Sequence, residues 1–350
     1  MEEYVLEDAL TGATVAFDAA TGEARLASPG TGELAACPSV FFPGCSLINY
    51  ALPLVMAVYD TLLEAGSVDG ASLLCCGKIL SYEPDGDAVR ASFEEELRAH
   101  VAAAGVGRIV AACPNCAAAL RGALAADGAT AAVEVVALPA ELARLGYRVD
   151  AEAAARLVGA EGRPARLAAH DSCPDRDRGE FADGMRALLP EGLCVEPAHS
   201  RSRSLCCGSL LRAAGKFEAA DKMAVRNGEE AVEAGADALV TACLSCAFQL
   251  NMAQAAVPAL HFLELLYDWR VDWASVGAWM KLRFLFGETL GVAGAEGGRA
   301  FVGLEAGGEP TVADEAAVEA SEDDRALSGA EEDARHDVTM SNEDVEVLGE

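Results

Sequence analysis

Four short apolar runs punctuate the chain: Val40 to Phe42, Arg108 to Ala111, Arg166 to Ala169 and Ala238 to Thr241, each leading into a cysteine a few residues on. Stretches with helical periodicity lie between them, at Leu52 to Leu63, Ala88 to Ala103 and Lys216 to Ala234. Continuous runs of this length separated by helices predict buried parallel strands in an α/β fold. Two further segments, "VVALPAELARLGY" at 135–147 and "VPALHFLELLYDW" at 257–269, each read as a strand entering a helix. Tyr4 to Ala27 alternates loosely around Thr11-Gly12 and Thr21-Gly22, which predicts a small hairpin in an N-terminal extension over residues 1–35.

The cysteines carry an internal repeat. Cys45, Cys75, Cys76, Cys113 and Cys116 recur as Cys173, Cys206, Cys207, Cys243 and Cys246 at offsets of 128, 131, 131, 130 and 130 residues. Each half reads Cys, a gap of 29 or 32 residues, Cys-Cys-Gly, a gap of 36 or 35, then Cys-x-x-Cys. A duplicated module follows, giving two tandem similar modules of short parallel strands and flanking helices, at 36–150 and 151–290. In open α/β sheets ligands gather at the carboxyl ends of the strands, so five thiols far apart in sequence can converge there.

The charge narrows the partners. The 350 residues hold 26 Lys and Arg against 56 Asp and Glu, a net of −30, which argues against nucleic acid and anionic membrane surfaces. No apolar stretch reaches the length of a membrane span, and Met1-Glu2-Glu3-Tyr4 lacks the build of a signal peptide, so the chain reads as cytoplasmic with no membrane insertion. Residues 291–350 contain 17 acids and 3 bases, one aromatic and no cysteine, and are expected to form an acidic disordered tail. Twelve cysteines in a reducing compartment point to metal or redox chemistry rather than a disulfide framework.

Five thiols per half exceed the four of a tetrahedral zinc site. Adjacent cysteines are poorly placed to share one ion, yet they can bind different irons of a cluster, so a polynuclear iron–sulfur site fits better. Gly77 and Gly208, which follow the vicinal pairs, are expected to let backbone approach a bulky cofactor without a Cβ in the way.

Pro43-Gly44-Cys45, Cys75-Cys76-Gly77 and Cys113-Pro114-Asn115-Cys116, followed by His170-Asp171-Ser172-Cys173, Cys206-Cys207-Gly208 and Cys243-Leu244-Ser245-Cys246, resemble the paired cysteine-rich CCG domains of the heterodisulfide reductase family. Related modules occur in iron–sulfur subunits of anaerobic glycerol-3-phosphate, glycolate and lactate oxidation. The resemblance covers about residues 38–270. It implies an unusual non-cubane four-iron cluster in each module, one held by Cys45, Cys75, Cys76, Cys113 and Cys116 and the other by Cys173, Cys206, Cys207, Cys243 and Cys246, and an activity in disulfide reduction. Ser172 and Leu244 stand where that family commonly has proline, and neither change removes a ligand. The chain shows no ferredoxin cysteine run, Walker loop or Gly-x-Gly-x-x-Gly helix opening. Electrons are therefore expected from a ferredoxin-domain or flavoprotein partner, with a small disulfide or another small molecule as substrate. Two alternatives stand beside this reading: a non-catalytic relay subunit of a hydroxy-acid or glycerol-3-phosphate dehydrogenase complex, and a structural protein with zinc in one or both modules.

No catalytic residue is identified by the motifs. His170, beside Cys173, is a candidate proton donor for a thiolate leaving group, in competition with a structural hydrogen bond. His199, Arg201 and Arg203 before the second vicinal pair, and Lys78 after the first, could stabilise a reduced cluster or line a solvated surface. Cys37 and Cys194 fall outside the repeat and read as ordinary small thiols. Trp269, Trp273 and Trp279 form an apolar face, suited either to packing over the second module or to docking an electron-supplying subunit.

Overall fold

The computed structural model describes residues 3–18, 23–27, 34–82, 86–160, 162–271 and 273. The expected acidic tail at 291–350 and Trp279 lie outside them. Three antiparallel strands, β1 (Glu3–Glu7), β2 (Thr14–Asp18) and β3 (Glu23–Ala27), form an N-terminal sheet in sequence order.

The first module follows as β4 (Ser39–Phe42), α1 (Cys45–Tyr50), α2 (Leu52–Glu64), β5 (Gly70–Ala71), α3 (Gly86–Ala103), β6 (Arg108–Ala111), α4 (Pro114–Ala125), β7 (Glu134–Ala137) and α5 (Leu138–Arg144). After α6 (Ala151–Leu157), the second repeats the plan with β8 (Leu167–His170), α7 (Glu180–Leu188), β9 (Cys194–Val195), α8 (Ser209–Ala213), α9 (Phe217–Glu233), β10 (Ala238–Thr241), α10 (Leu244–Ala253), β11 (Ala259–His261) and α11 (Phe262–Leu266).

Both four-stranded sheets are wholly parallel, ordered β5-β4-β6-β7 and β9-β8-β10-β11. Helices cover such sheets, so their strands are apolar throughout: Val40, Phe41, Phe42, Ile109, Val110 and Val240 are at most 1 % exposed. The four expected strands, the three long helices and both strand-to-helix segments are present, and the fold is the expected α/β pair of modules. The two-residue strands β5 and β9 have no sequence signal, because two residues cannot display a period.

The modules share one hydrophobic core, which runs from Val40 and Val55 through Leu138 and Leu142 to Phe181, Met185, Val240 and Phe262. Helix α5 lies against α7 so closely that a Cβ on Gly184 would come within 2.8 Å of the Ala140 Cα. Tyr50 of the first module stacks on Phe248 of the second at 5.2 Å, Trp273 packs edge-on to Tyr50, and the Tyr267 hydroxyl donates to Thr61 Oγ1 at 2.8 Å. Trp269 and Trp273 thus pack within the chain.

Two buried carboxylates tie elements together. Asp8, just beyond β1, accepts from Leu73 N at 2.7 Å and from Leu10 N at 2.8 Å, fastening the N-terminal sheet to the loop that leads to Cys75. Glu141 on α5 receives Arg144 and Arg108, at 2.7 and 2.8 Å, together with the Ser67 hydroxyl. These partners, Arg144 foremost, hold its carboxyl down at about 2.

Because Glu141 ionises more readily in the folded chain than in the unfolded one, its contribution is full above the ordinary value of 4.5 and is lost as the pH falls through about 2. Glu141→Gln is expected to cost on the order of 2 kcal/mol at pH 7 and progressively less below pH 4.5, read by denaturant titration across pH. A second expectation separates helix propensity from packing. Gly122→Ala on α4, where a Cβ meets nothing within 4 Å, should stabilise by about 0.5–1 kcal/mol. Gly184→Ala should instead destabilise by about 1–3 kcal/mol.

Candidate metal centre

The connection from β4 runs to β5 on one side of its sheet and that from β6 to β7 on the other. Such divergence opens a crevice between adjacent strand ends. Cys45 begins α1 at the carboxyl end of β4, and Cys113 is the N-cap of α4 at the end of β6. Cys173 opens a short 3₁₀ turn after β8, and Cys243 caps α10 after β10. The vicinal pairs come in on the loops that follow β5 and β9.

All ten repeat cysteines join one row of thiol–thiol hydrogen bonds. In the first module it runs Cys45, Cys75, Cys76, Cys116, Cys113. In the second it runs Cys173, Cys206, Cys207, Cys246, Cys243. Cys113 and Cys243 contact each other, so the two rows meet tip to tip across the module boundary. None of the twelve cysteines is in a disulfide. Cys37 is buried beside Ser39, and Cys194 sits on the edge strand β9; neither takes part in the row.

Crowding separates the thiols by acidity. Hydrogen bonds from Cys116 draw Cys76 down to about 5 and Cys113 well below the ordinary thiol value, and one from Cys173 draws Cys206 down to about 2. Their neighbours Cys116, Cys173 and Cys207 are pushed up as the partners that keep protons. Thiolate is the form that ligates metal. Backbone N–H groups face three of the sulfurs: Gly77 N lies 3.4 Å from Cys75 Sγ, Gly208 N 3.3 Å from Cys206 Sγ and Ser209 N 3.4 Å from Cys207 Sγ.

Gly77 and Gly208 do not make room for a cofactor, as their sequence context suggested. Both have left-handed backbone, φ +74° and +89°, and an added Cβ would strike Phe93 on α3 at 2.9 Å or Ala220 O on α9 at 2.5 Å. They are required by helix packing and turn geometry. The glycine that clears space among the thiols is Gly44, φ +77°, whose Cβ would lie 2.8 Å from Cys116 Sγ. Its counterpart is Ser172, with its hydroxyl 3.9 Å from Cys246 Sγ.

Three of the four expected cationic side chains are engaged by other groups. His199 Nδ1 bonds Glu230 at 2.6 Å, the Arg201 guanidinium binds Asp183, and Arg203 donates to Ala198 O at 3.4 Å. Lys78 opens a short 3₁₀ turn directly after Gly77. His170 is buried at the end of β8, with Nδ1 2.8 Å from Asn227 Oδ1. Two residues that the motifs do not mark also touch the site: Asn115, whose amide reaches to 3.9 Å from Cys243 Sγ, and Asn227, whose amide donates to Cys206 O at 3.0 Å. Asn115 could be found from its place inside a Cys-x-x-Cys; Asn227, on α9, carries no local signal.

The donor set fits a metal or metal–sulfur centre in each module: five thiols drawn into one row, with Cys76 and Cys113 in the first module and Cys206 in the second shifted toward thiolate, and backbone N–H donors beside them. Two buried side-chain atoms among the described residues have no partner, His170 Nε2 and Asn49 Oδ1, the latter one helical turn beyond Cys45. Repeated parallel sheets with thiols converging at the strand ends define a pair of cysteine-rich domains. The chain contains two domains of the CCG cysteine-rich family, over residues 39–121 and 167–251.

No curated protein matches the chain significantly. Similar solved structures include a glutamate racemase isoform from Bacillus anthracis, at 10 % identity and TM-score 0.31 over 73 % of this chain and 83 % of that one. An aspartate racemase homologue from Pyrococcus horikoshii OT3 is 13 % identical with TM-score 0.24, over 71 % of this chain and 99 % of that one. Overlap this loose carries nothing about activity. Among the described residues no helix is long and apolar enough to cross a membrane.

Gly44→Ala should reduce the metal held per folded chain, because its methyl group meets Cys116 Sγ. Gly77→Ala should cost about 1–2 kcal/mol of stability through its left-handed backbone while leaving metal per folded chain unchanged. Metal analysis of the folded fraction, beside thermal unfolding, distinguishes the two.

Proposed function

We propose that this chain is an iron–sulfur electron-transfer protein with one cluster in each CCG module, acting as the disulfide-reducing or electron-relaying subunit of an oxidoreductase complex similar to heterodisulfide reductase. The observation that carries this reading is the continuous row of ten thiols that meets at Cys113 and Cys243. A structural zinc needs four ligands and gains nothing from a second site at touching distance. A redox pair does gain, since short separation favours transfer between centres.

Bound clusters would supply one-electron chemistry at low potential. The chain's own residues hold the thiolates and fix their spacing. With a cluster bound, the N–H groups of Gly77, Gly208 and Ser209 would stabilise negative sulfur on Cys75, Cys206 and Cys207, and the Asn115 amide lies where the two halves meet. Ser46 and Ser245 hydroxyls bond at 2.6 Å across the module boundary and keep α1 and α10, which carry Cys45 and Cys246, in register. We assign electron supply to a partner with ferredoxin-type clusters or flavin.

Iron, zinc and acid-labile sulfide should be measured on anaerobically purified full-length chain together with its absorption spectrum. About eight irons and eight sulfides per chain, with broad brown absorbance bleached by dithionite, are expected from two four-iron clusters. Zinc without sulfide or colour, persisting after reconstitution with iron and sulfide, would overturn the reading. Cys76→Ala and Cys207→Ala should each lower iron content and alter the spectrum if all five thiols of a module ligate.

A further inference from the structure

The likeness between the modules breaks at the carboxyl ends of their first strands. Phe42 ends β4, and His170 ends β8 at the repeat offset of 128 that relates Cys45 to Cys173. A phenyl ring can bind no metal; an imidazole can. One ring nitrogen of His170 and the sulfurs of Cys207 and Cys246 lie within 4.8 Å of one another, all three residues buried.

The surrounding hydrogen bonds decide which nitrogen is available. The Asn227 amide nitrogen faces two carbonyl oxygens, Met223 O at 2.8 Å and Cys206 O at 3.0 Å. Carbonyls only accept, so this orientation of the amide is imposed, and Asn227 Oδ1 is the atom left for His170, at 2.8 Å. An amide oxygen also only accepts. His170 Nδ1 therefore carries the ring proton, and Nε2 of the neutral ring presents a lone pair, not the proton that a leaving-group donor needs. That Nε2 has no hydrogen-bond partner and belongs to a side chain 3 % exposed. Unpaired buried acceptors are rare because they are costly. A buried histidine with one nitrogen fixed by an amide or carboxylate, the other left bare, and two cysteine sulfurs close by is arranged as metal-binding histidines are.

We propose that His170 binds the metal centre of the second module through Nε2, as a nitrogen ligand beside Cys207 and Cys246, and that Asn227 is its positioning residue. The first module, with Phe42 in that place, has thiolates alone among its strand-end donors. The two centres are then chemically distinct despite their matching cysteines. Histidine in place of or beside thiolate lowers the negative charge on a cluster and raises its potential, which gives electrons a preferred direction, from the first module to the second. The assignment rests on the reading of these sites as metal centres.

The test uses full-length chain reconstituted anaerobically with iron and sulfide, one sample with natural-abundance histidine and one with ¹⁵N-histidine, both in the paramagnetic redox state. Hyperfine spectroscopy should show a nitrogen coupling of directly bound imidazole that changes with the isotope. His170→Phe, which copies the first module, should abolish it, and His170→Gln serves the same purpose if the phenyl variant does not fold. Asn227→Leu should retain iron but shift or weaken the coupling. A chain with full iron and sulfide and no imidazole coupling, or with a coupling that survives both His170 substitutions, overturns this proposal and leaves the cluster reading standing. A chain that takes up neither iron nor sulfide overturns both, and the metal analysis tells the two failures apart.

Discussion

Packing ten sulfur atoms against one another, five of them on fully buried cysteines, is the constraint around which the rest of the chain is arranged. Thiols packed in a row share protons unevenly, and Cys76, Cys113 and Cys206 are drawn toward the anion at sites wholly or partly closed to water. That is tolerable only if backbone N–H groups, neighbouring S–H groups or a bound cation answer the charge. The strand order places the crevice, the glycine turns aim their N–H groups at sulfur, and Gly44 leaves the gap into which Cys116 fits. Asp8 serves the same end by pinning the loop before Cys75 to the N-terminal sheet.

Much of the scaffold was legible because parallel strands covered on both faces are written as unbroken apolar runs, such as Val40 to Phe42, and because thiol spacing survives duplication. What the sequence hid was three-dimensional. The Cys113–Cys243 contact joins residues 130 apart in different modules. Gly77 and Gly208 invite a cofactor explanation until the helices above them are seen, for the clash that forbids a side chain comes from Phe93 and Ala220, and neither belongs to a cysteine motif. The cations near the second vicinal pair looked electrostatically useful in one dimension; the carboxylates that engage His199 and Arg201 are remote in sequence, at Glu230 and Asp183.

Matching positions in the modules have diverged in a consistent direction. Where the first has Phe42 and Gly44, the second has His170 and Ser172. Both replacements add polar atoms beside sulfur in the second half, while the thiols stay in register. Two copies of one plan can thus be tuned separately without disturbing the sheets that carry them.

The shared core has a consequence for assembly. A module bearing an open α5 or α7 face could associate with a second copy of itself, but that pairing would dissolve on dilution. Here the short connection from α5 through α6 to β8 makes the encounter intramolecular, and tethered partners see one another at effective concentrations of about millimolar whatever the abundance of the protein. The two halves are also present in strict one-to-one ratio in every molecule, so a scarce protein is as completely assembled as an abundant one.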